Sequence, residues 1–229
     1  MYDTLQSTND FLKSLVDERN EGEVVVARTQ TKGRGRQNRA FVSKDGGLYF
    51  SFLLKPTGFP INKLTAMTAV AVKEAIREVT GKDPLIKWVN DLYLDDRKIC
   101  GILAESSFLC ESVQYAVLGI GINVTLPEGG FSKEIEDIAG FLGEKDCRAE
   151  LLSRILDRIY YYYVEGGEFE EKYRKNSYLE GKKLVIYTQN GEIEGDFCQI
   201  DENLRLVVNT KKGVQKFHSG EVGKVYSGT

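Results

Sequence analysis

One stretch of this 229-residue chain constrains its fold more than any other: residues 113–124, VQYAVLGIGINV. It is apolar at consecutive rather than alternate positions. It therefore needs cover on both faces, as a strand in the middle of a sheet has. It also carries Gly119 and Gly121, two residues apart and so on one face. Glycine inside a strand weakens it unless a ligand or another backbone must approach closely. That face reads either as a flat floor for a ligand, ending in the donor and acceptor of Asn123, or as a bulge followed by a turn asparagine.

Other segments can be set around this strand. Residues 23–27, 48–55, 85–88, 92–94 and 98–105 have strand character, and Asp95-Asp96-Arg97 reads as a hairpin turn. Ser7-Thr8-Asn9-Asp10 offers capping side chains to a helix carrying Phe11, Leu12, Leu15 and Val16. Asn62 is placed to cap a second helix with Leu64, Met67, Ala71, Ala75 and Val79 on its apolar face, stopped by Gly81. Residues 150–164 and 169–175 complete the helices. At about Gly181 the chain changes to short β segments over 183–187, 192–200, 204–209 and 213–217. Turns at Asn190-Gly191, Asp201-Glu202-Asn203 and Lys211-Lys212-Gly213 separate them. The expectation is an α+β protein: a mixed sheet flanked by helices over residues 1–180, then a small β-barrel over 181–229.

Composition narrows the chemistry. The chain has 31 Lys and Arg against 34 Asp and Glu, a net charge of -3, without the basic surplus of a duplex-binding protein. Any anion site must come from local clustering. The single histidine is His218, and Cys100, Cys110, Cys147 and Cys198 show no C-x-x-C spacing. A cysteine/histidine zinc site, a disulfide framework and a serine–histidine or cysteine–histidine nucleophile are all disfavoured, and no metal site is expected in the protein itself. The start MYDTLQSTND has no basic or apolar signal character, and no apolar run is long enough to span a membrane. A soluble protein of a reducing cytoplasm is the expectation.

The clustering is found in QTKGRGRQNRAF, residues 30–41. Residues 28–44 carry six basic side chains and no acid. Like charges on one loop repel, so the sequence predicts a loose loop that an anion would order. The glycines let the backbone approach a phosphate, and the arginine forks match its oxygens. Phe41 could stack on a base. Taken alone, the loop reads equally as a solvated basic segment or as one that touches RNA. A second group is KWVND, residues 87–91, followed by Lys98 at the head of an otherwise apolar strand. Asn90-Asp91 reads as ligand-facing or as a plain turn. Lys98 either snorkels out or meets a carboxylate or phosphate.

These motifs share one order: Ser7-Thr8-Asn9, then Gln30 with GRGRxxR, GGLYFS at residues 46–51, KWxND, KxxGILxE from Lys98, and GIGIN. The series resembles the biotin–protein ligase family over residues 1 to about 125. The end, with Ser219-Gly220-Glu221-Val222, resembles that family's SH3-like domain. The resemblance implies formation of biotinyl-5'-AMP from biotin and ATP with Mg2+, then transfer of biotin to a lysine of a biotin carboxyl carrier protein. It implies biotin contacts at Ser7, Thr8, Asn9, Gln30, Gly33, Arg34, Gly35, Arg36, Lys98, Gly101 and Gly119. It implies ATP contacts at Arg36, Arg39, Phe41, Asn90 and Asn123, with Lys98, Arg34 and Arg36 catalytic. Phe41 stands where the family usually has tryptophan, Val89 where it has proline, and Asn38 where glycine is common. Members are often dimers, and some carry a DNA-binding domain ahead of the ligase. None fits before Ser7, so a ligase without DNA binding is expected. A lipoate or octanoate transferase of similar fold is the alternative. Its glycine-and-histidine signature is not found.

Overall fold

Residues 113–124 do form the central strand. The computed structural model describes residues 1–55, 58–110, 112–188 and 191–227, so Asn190 of the expected Asn190-Gly191 turn lies outside the described residues. Seven strands make the first sheet: β1 (Tyr2–Leu5), β2 (Val24–Gln30), β3 (Gly47–Leu54), β4 (Leu85–Lys87), β5 (Asp91–Leu94), β6 (Arg97–Leu109) and β7 (Ser112–Asn123). Their order is β1-β2-β3-β7-β6-β5-β4, with β7 in the middle. β1 and β2 are parallel and the other pairs antiparallel, so the sheet is mixed. Asp95 and Asp96 make the β5–β6 turn with φ of 51° and 58°, a left-handed pair that aspartate tolerates.

The two faces of the sheet are covered differently. On one lie α2 (Leu64–Thr80), α3 (Arg148–Tyr163) and α4 (Glu170–Lys175). Ala66, Ala69, Ala71 and Ala75 of α2 are buried in one cluster with Phe50, Leu118, Ile120 and Ile122, small side chains letting the helix sit close to the sheet. Gly81 ends α2 with φ 71°, and its amide donates to Arg77 O at 3.0 Å. Asn62 does not cap it. A 3-10 turn from Pro60 runs straight into the helix, so the capping position falls to Lys63, whose own backbone is already helical.

On the other face lies α1 (Thr8–Lys13), which packs Leu12 onto Val25, Leu53 and Val117. Ser7 caps it, accepting from the Asp10 amide. The helix ends at Lys13, before the predicted face reaches Leu15 and Val16, which continue in turns. The rest of this face is left to the basic loop.

That loop is not loose. β2 continues to Gln30, backbone bridges tie Gln30 to Ser43 and Arg34 to Ala40, and Arg36–Asn38 makes a 3-10 turn. The expected self-repulsion is offset by acids outside the segment, Asp45 next to it and Asp10, Glu105 and Glu221 from elsewhere in the chain. Arg28 lies 2.6 Å from Asp45, Arg34 meets Asp10 and Glu105, and Arg39 meets Glu221. Hydrogen bonding from Arg28 pulls the Asp45 carboxyl down to about 2 from the ordinary 3.8. Because the folded value is the lower one, this contribution is present above about pH 4 and disappears as pH falls towards 2. The stability gap between wild type and Asp45→Asn, read from urea melts, should narrow steadily from pH 5 to pH 2. A constant gap would contradict it.

Residues beyond Gly181 build a second, antiparallel sheet: β8 (Lys182–Thr188), β9 (Gly191–Ile200), β10 (Leu206–Thr210), β11 (Gly213–Phe217) and β12 (Glu221–Ser227), ordered β11-β10-β9-β8-β12. Among the described residues β11 and β12 stand at the two ends of this pairing order. β10 begins at Leu206, not Leu204, because Asp201 folds residues 201–205 into a turn. Its carboxylate accepts the Asn203 and Arg205 amides at 3.0 and 2.9 Å. Leu204, freed from the strand, accepts the Trp88 indole N–H at 3.0 Å and links the two sheets. No helix among the described residues is long and apolar enough to cross a membrane.

Candidate functional site

Between the basic loop and the bare face of the first sheet lies a cleft of about 260 Å³. Its floor is cut into three strands. Gly121 on β7 faces Gly101 on β6, and Gly119 on β7 faces Leu103 on β6 and Ser51 on β3. A methyl group added at Gly119 would run into the Asn9 amide, and one added at Gly121 or Gly101 would strike the Phe41 ring. Gly119 and Gly121, which the sequence puts on one face, are joined in this floor by Gly101 of the neighbouring strand. Phe41 lies against that floor, 6.3 Å from the Tyr49 ring and 5.9 Å from Lys98 Nζ.

At one end of the cleft the start of α1 meets β2 and β3 in an uncharged polar cage. Thr8 N and Oγ1 both donate to Gln30 Oε1, at 2.8 and 3.1 Å. Gln30 Nε2 donates to Ser43 Oγ at 2.8 Å. The buried Ser51 hydroxyl donates to Asn9 Oδ1 at 2.6 Å and lies 2.7 Å from Thr8 Oγ1. These bonds fix the amide orientations of Gln30 and Asn9. Ser7, Thr8 and Asn9 are themselves buried. Such a cage suits a neutral ligand head with its own donors and acceptors.

The opposite end is cationic. Lys98 Nζ sits 2.7 Å from Asp91 Oδ1, an ion pair off the line that a hydrogen bond prefers. Arg36 Nη1 lies 3.4 Å from Asn90 Oδ1, and Asn90 Nδ2 donates to Ile102 O at 2.9 Å. Arg39, Gly35 and Glu221 line this end as well. Among the described lining residues Lys98, Arg36 and Arg39 outnumber Asp91 and Glu221 at this end, so an incoming anion would meet net positive charge. Arg34 differs: its Nη2 is engaged by both Asp10 and Glu105, while its Nε is buried with no partner among the described residues.

Two predicted site residues lie off the cleft. Gly33 sits beneath the loop, where its carbonyl accepts the Phe41 amide at 2.8 Å, and a side chain there would hit Phe41 O. Asn123 turns away to donate to Gly140 O at 2.8 Å. Sequence reasoning assigned no role to Ser51, Glu105, Glu221 or Ile138. For Glu105 a signal existed: an acid in an apolar strand seven residues after Lys98.

The chain can be compared with known proteins on this basis. Residues 2–123 match the biotin/lipoate A/B protein ligase family. The bifunctional ligase/repressor BirA of Bacillus subtilis is 35% identical over 96% of this chain and 72% of its own length. The biotin–[acetyl-CoA-carboxylase] ligase of Paracoccus denitrificans is 27% identical over 86% of this chain and 88% of its own. The structure of the Aquifex aeolicus biotin protein ligase in complex with biotin and ATP superimposes with a TM-score of 0.82, at 32% identity, over 97% of each chain. Sequence, fold and a cleft with one neutral polar end and one cationic end agree: the chain belongs to the biotin/lipoate A/B protein ligase family.

Proposed function

We propose that the protein is an ATP-dependent biotin–protein ligase, which makes biotinyl-5'-AMP and passes biotin to a lysine of a biotin carboxyl carrier protein. The observation that carries this reading is the polarity of one continuous cleft. Its neutral cage, glycine floor and cationic end match a ligand with a cyclic urea head, an apolar chain and a carboxylate. The cage of Thr8, Asn9, Gln30 and Ser51 takes the ring, and the close approach allowed by Gly101 and Gly119 accommodates the chain. Lys98 receives the carboxylate.

ATP binds at the cationic end, with Arg36, Arg39 and Asn90 as its contacts. The carboxylate oxygen attacks the α-phosphorus, the bond to the β-phosphate oxygen breaks, and pyrophosphate leaves. Negative charge concentrates around phosphorus in that transition state, and Lys98 and Arg36 stabilise it. In the second step a lysine amine of the carrier attacks the carbonyl carbon of the mixed anhydride. AMP leaves and the ammonium proton passes to solvent. The basic loop, residues 32–43, covers the cleft and excludes water from the anhydride in between. Among the described residues no three His, Cys, Asp or Glu side chains converge as a metal site. Mg2+ would accompany the triphosphate, held by its oxygens, and would supply neutralisation of the leaving pyrophosphate.

The direct test is incubation with ATP, Mg2+ and biotin, followed by mass detection of biotinyl-adenylate. Lipoate and octanoate in place of biotin should give no adenylate, and an adenylate formed only from those acids would sink the reading. The floor gives a second test. Gly121→Val would expel Phe41 from its seat and raise the biotin dissociation constant about a hundredfold by calorimetry, since the added carbons occupy packed volume. An unchanged constant would mean that Phe41 and the floor do not define the ligand space.

A further inference from the structure

Glu105 takes no part in the reaction described above, yet it is the most connected charged side chain near the cleft. Its Oε2 accepts from Asn9 Nδ2 at 2.8 Å and its Oε1 from Lys13 Nζ at 2.9 Å. Arg34 Nη2 lies 3.2 and 3.3 Å from its two oxygens and also meets Asp10. One carboxylate on β6 thus ties together α1, the basic loop and the sheet, three segments far apart in the chain. Burial pushes the Glu105 carboxyl up, but hydrogen bonds from Asn9 and Lys13 outweigh it and hold the group below its ordinary value, so it is charged.

We propose that Glu105 is a positioning residue that latches the basic loop and α1 onto the sheet, and that Arg34 is its clasp rather than a phosphate ligand; this rests on the ligase reading above. Two consequences of the geometry support it. Asn9 donates to Glu105 and accepts from Ser51, so its amide cannot flip and the polar cage keeps one pattern of donors and acceptors. Arg34 faces two carboxylates, so its charge is compensated before any nucleotide arrives. Its buried Nε, without a partner among the described residues, can bond a neutral acceptor but supplies little net charge. The phosphate charge is left to Lys98 and Arg36. The loop closes on acids outside itself, which is why a segment with no acid of its own can hold a defined shape without an anion.

The experiment compares wild type, Glu105→Gln, Arg34→Met and the double variant by two readouts. The first is hydrogen exchange of the Gly35 and Phe41 amides in the ligand-free protein; these amides bond Arg39 O and Gly33 O inside the loop. Loss of the latch should speed their exchange about tenfold, the lower end for bonds to a charged group, while α2 and β7 amides keep their protection. The second is biotin-dependent ATP–pyrophosphate exchange. There the biotin KM should rise about tenfold in each single variant and kcat should fall much less. Because the two residues act through one contact, the double variant should be no worse than the poorer single one. Unchanged loop exchange in Glu105→Gln overturns the latch whatever the enzyme does. A fall in kcat at constant KM for Arg34→Met returns Arg34 to the phosphate. A wild type without biotin-dependent exchange overturns the ligase reading, while loop exchange still decides the latch. Should Glu105→Gln fail to fold, Arg34→Met alone carries both readouts.

Discussion

Lys98→Ala should slow biotin-dependent ATP–pyrophosphate exchange by about a thousandfold, the loss of roughly 4 kcal/mol expected when a charged transition-state donor is removed from a closed site. The structure gives two reasons for so large an effect. Lys98 is the ammonium group that meets both the proposed carboxylate position and the Asn90-Asp91 segment, and its carboxylate partner among the described residues is Asp91. Taking Lys98 away also uncovers Asp91, whose negative charge would then face the triphosphate. The double variant Lys98→Ala, Asp91→Asn should therefore recover part of the lost rate without restoring it. Exchange by Lys98→Ala within tenfold of wild type would mean that another group carries the α-phosphate charge.

Trp88→Ala should destabilise the protein by about 3–5 kcal/mol, which corresponds to a fall of about 10 °C or more in Tm for a chain of this size. Trp88 is 4% exposed and joins the main core, so its removal leaves a large void. It also breaks the Nε1 bond to Leu204 O, leaving a buried carbonyl at the turn between β9 and β10. That bond crosses between the sheets, so the variant should also let the second sheet melt ahead of the first. Calorimetry that showed a single transition within 2–3 °C of wild type, small by the scaling used above, would mean that Leu204 and Trp88 do not couple them.

How much of this was legible in the sequence depends on the range of the signal. β7 was found with its centre and its glycines because an unbroken apolar run has one placement in a sheet. α2 was found nearly to the residue because apolar spacing and Gly81 are local. β1 was missed because four mostly exposed residues give no apolar alternation; it forms only by lying parallel to β2. β12 was missed for a related reason, since its partner is β8, far back in the chain. The site divides the same way. Residues supplied by consecutive motifs, such as Thr8, Gln30, Lys98 and Gly119, do line one cleft. What could not be read was charge compensation. Residues 28–44 contain no acid, and no local pattern reveals that Asp10, Glu105 and Glu221 come from elsewhere to neutralise them.

The glycine floor also determines how the gene tolerates change. Every missense mutation of a glycine codon adds at least one carbon. At Gly101, Gly119 and Gly121 that carbon falls in space already occupied by Phe41 or Asn9, or in the cleft that they border. A mutation there amounts to a permanently attached inhibitor, delivered with the fold intact. Variants at these positions should accumulate as well-expressed, well-folded and inactive proteins, whereas variants at Trp88 should be lost to degradation. The inverse change offers a route to altered ligands: trimming Phe41 vacates volume above Gly121 that a bulkier acid could fill.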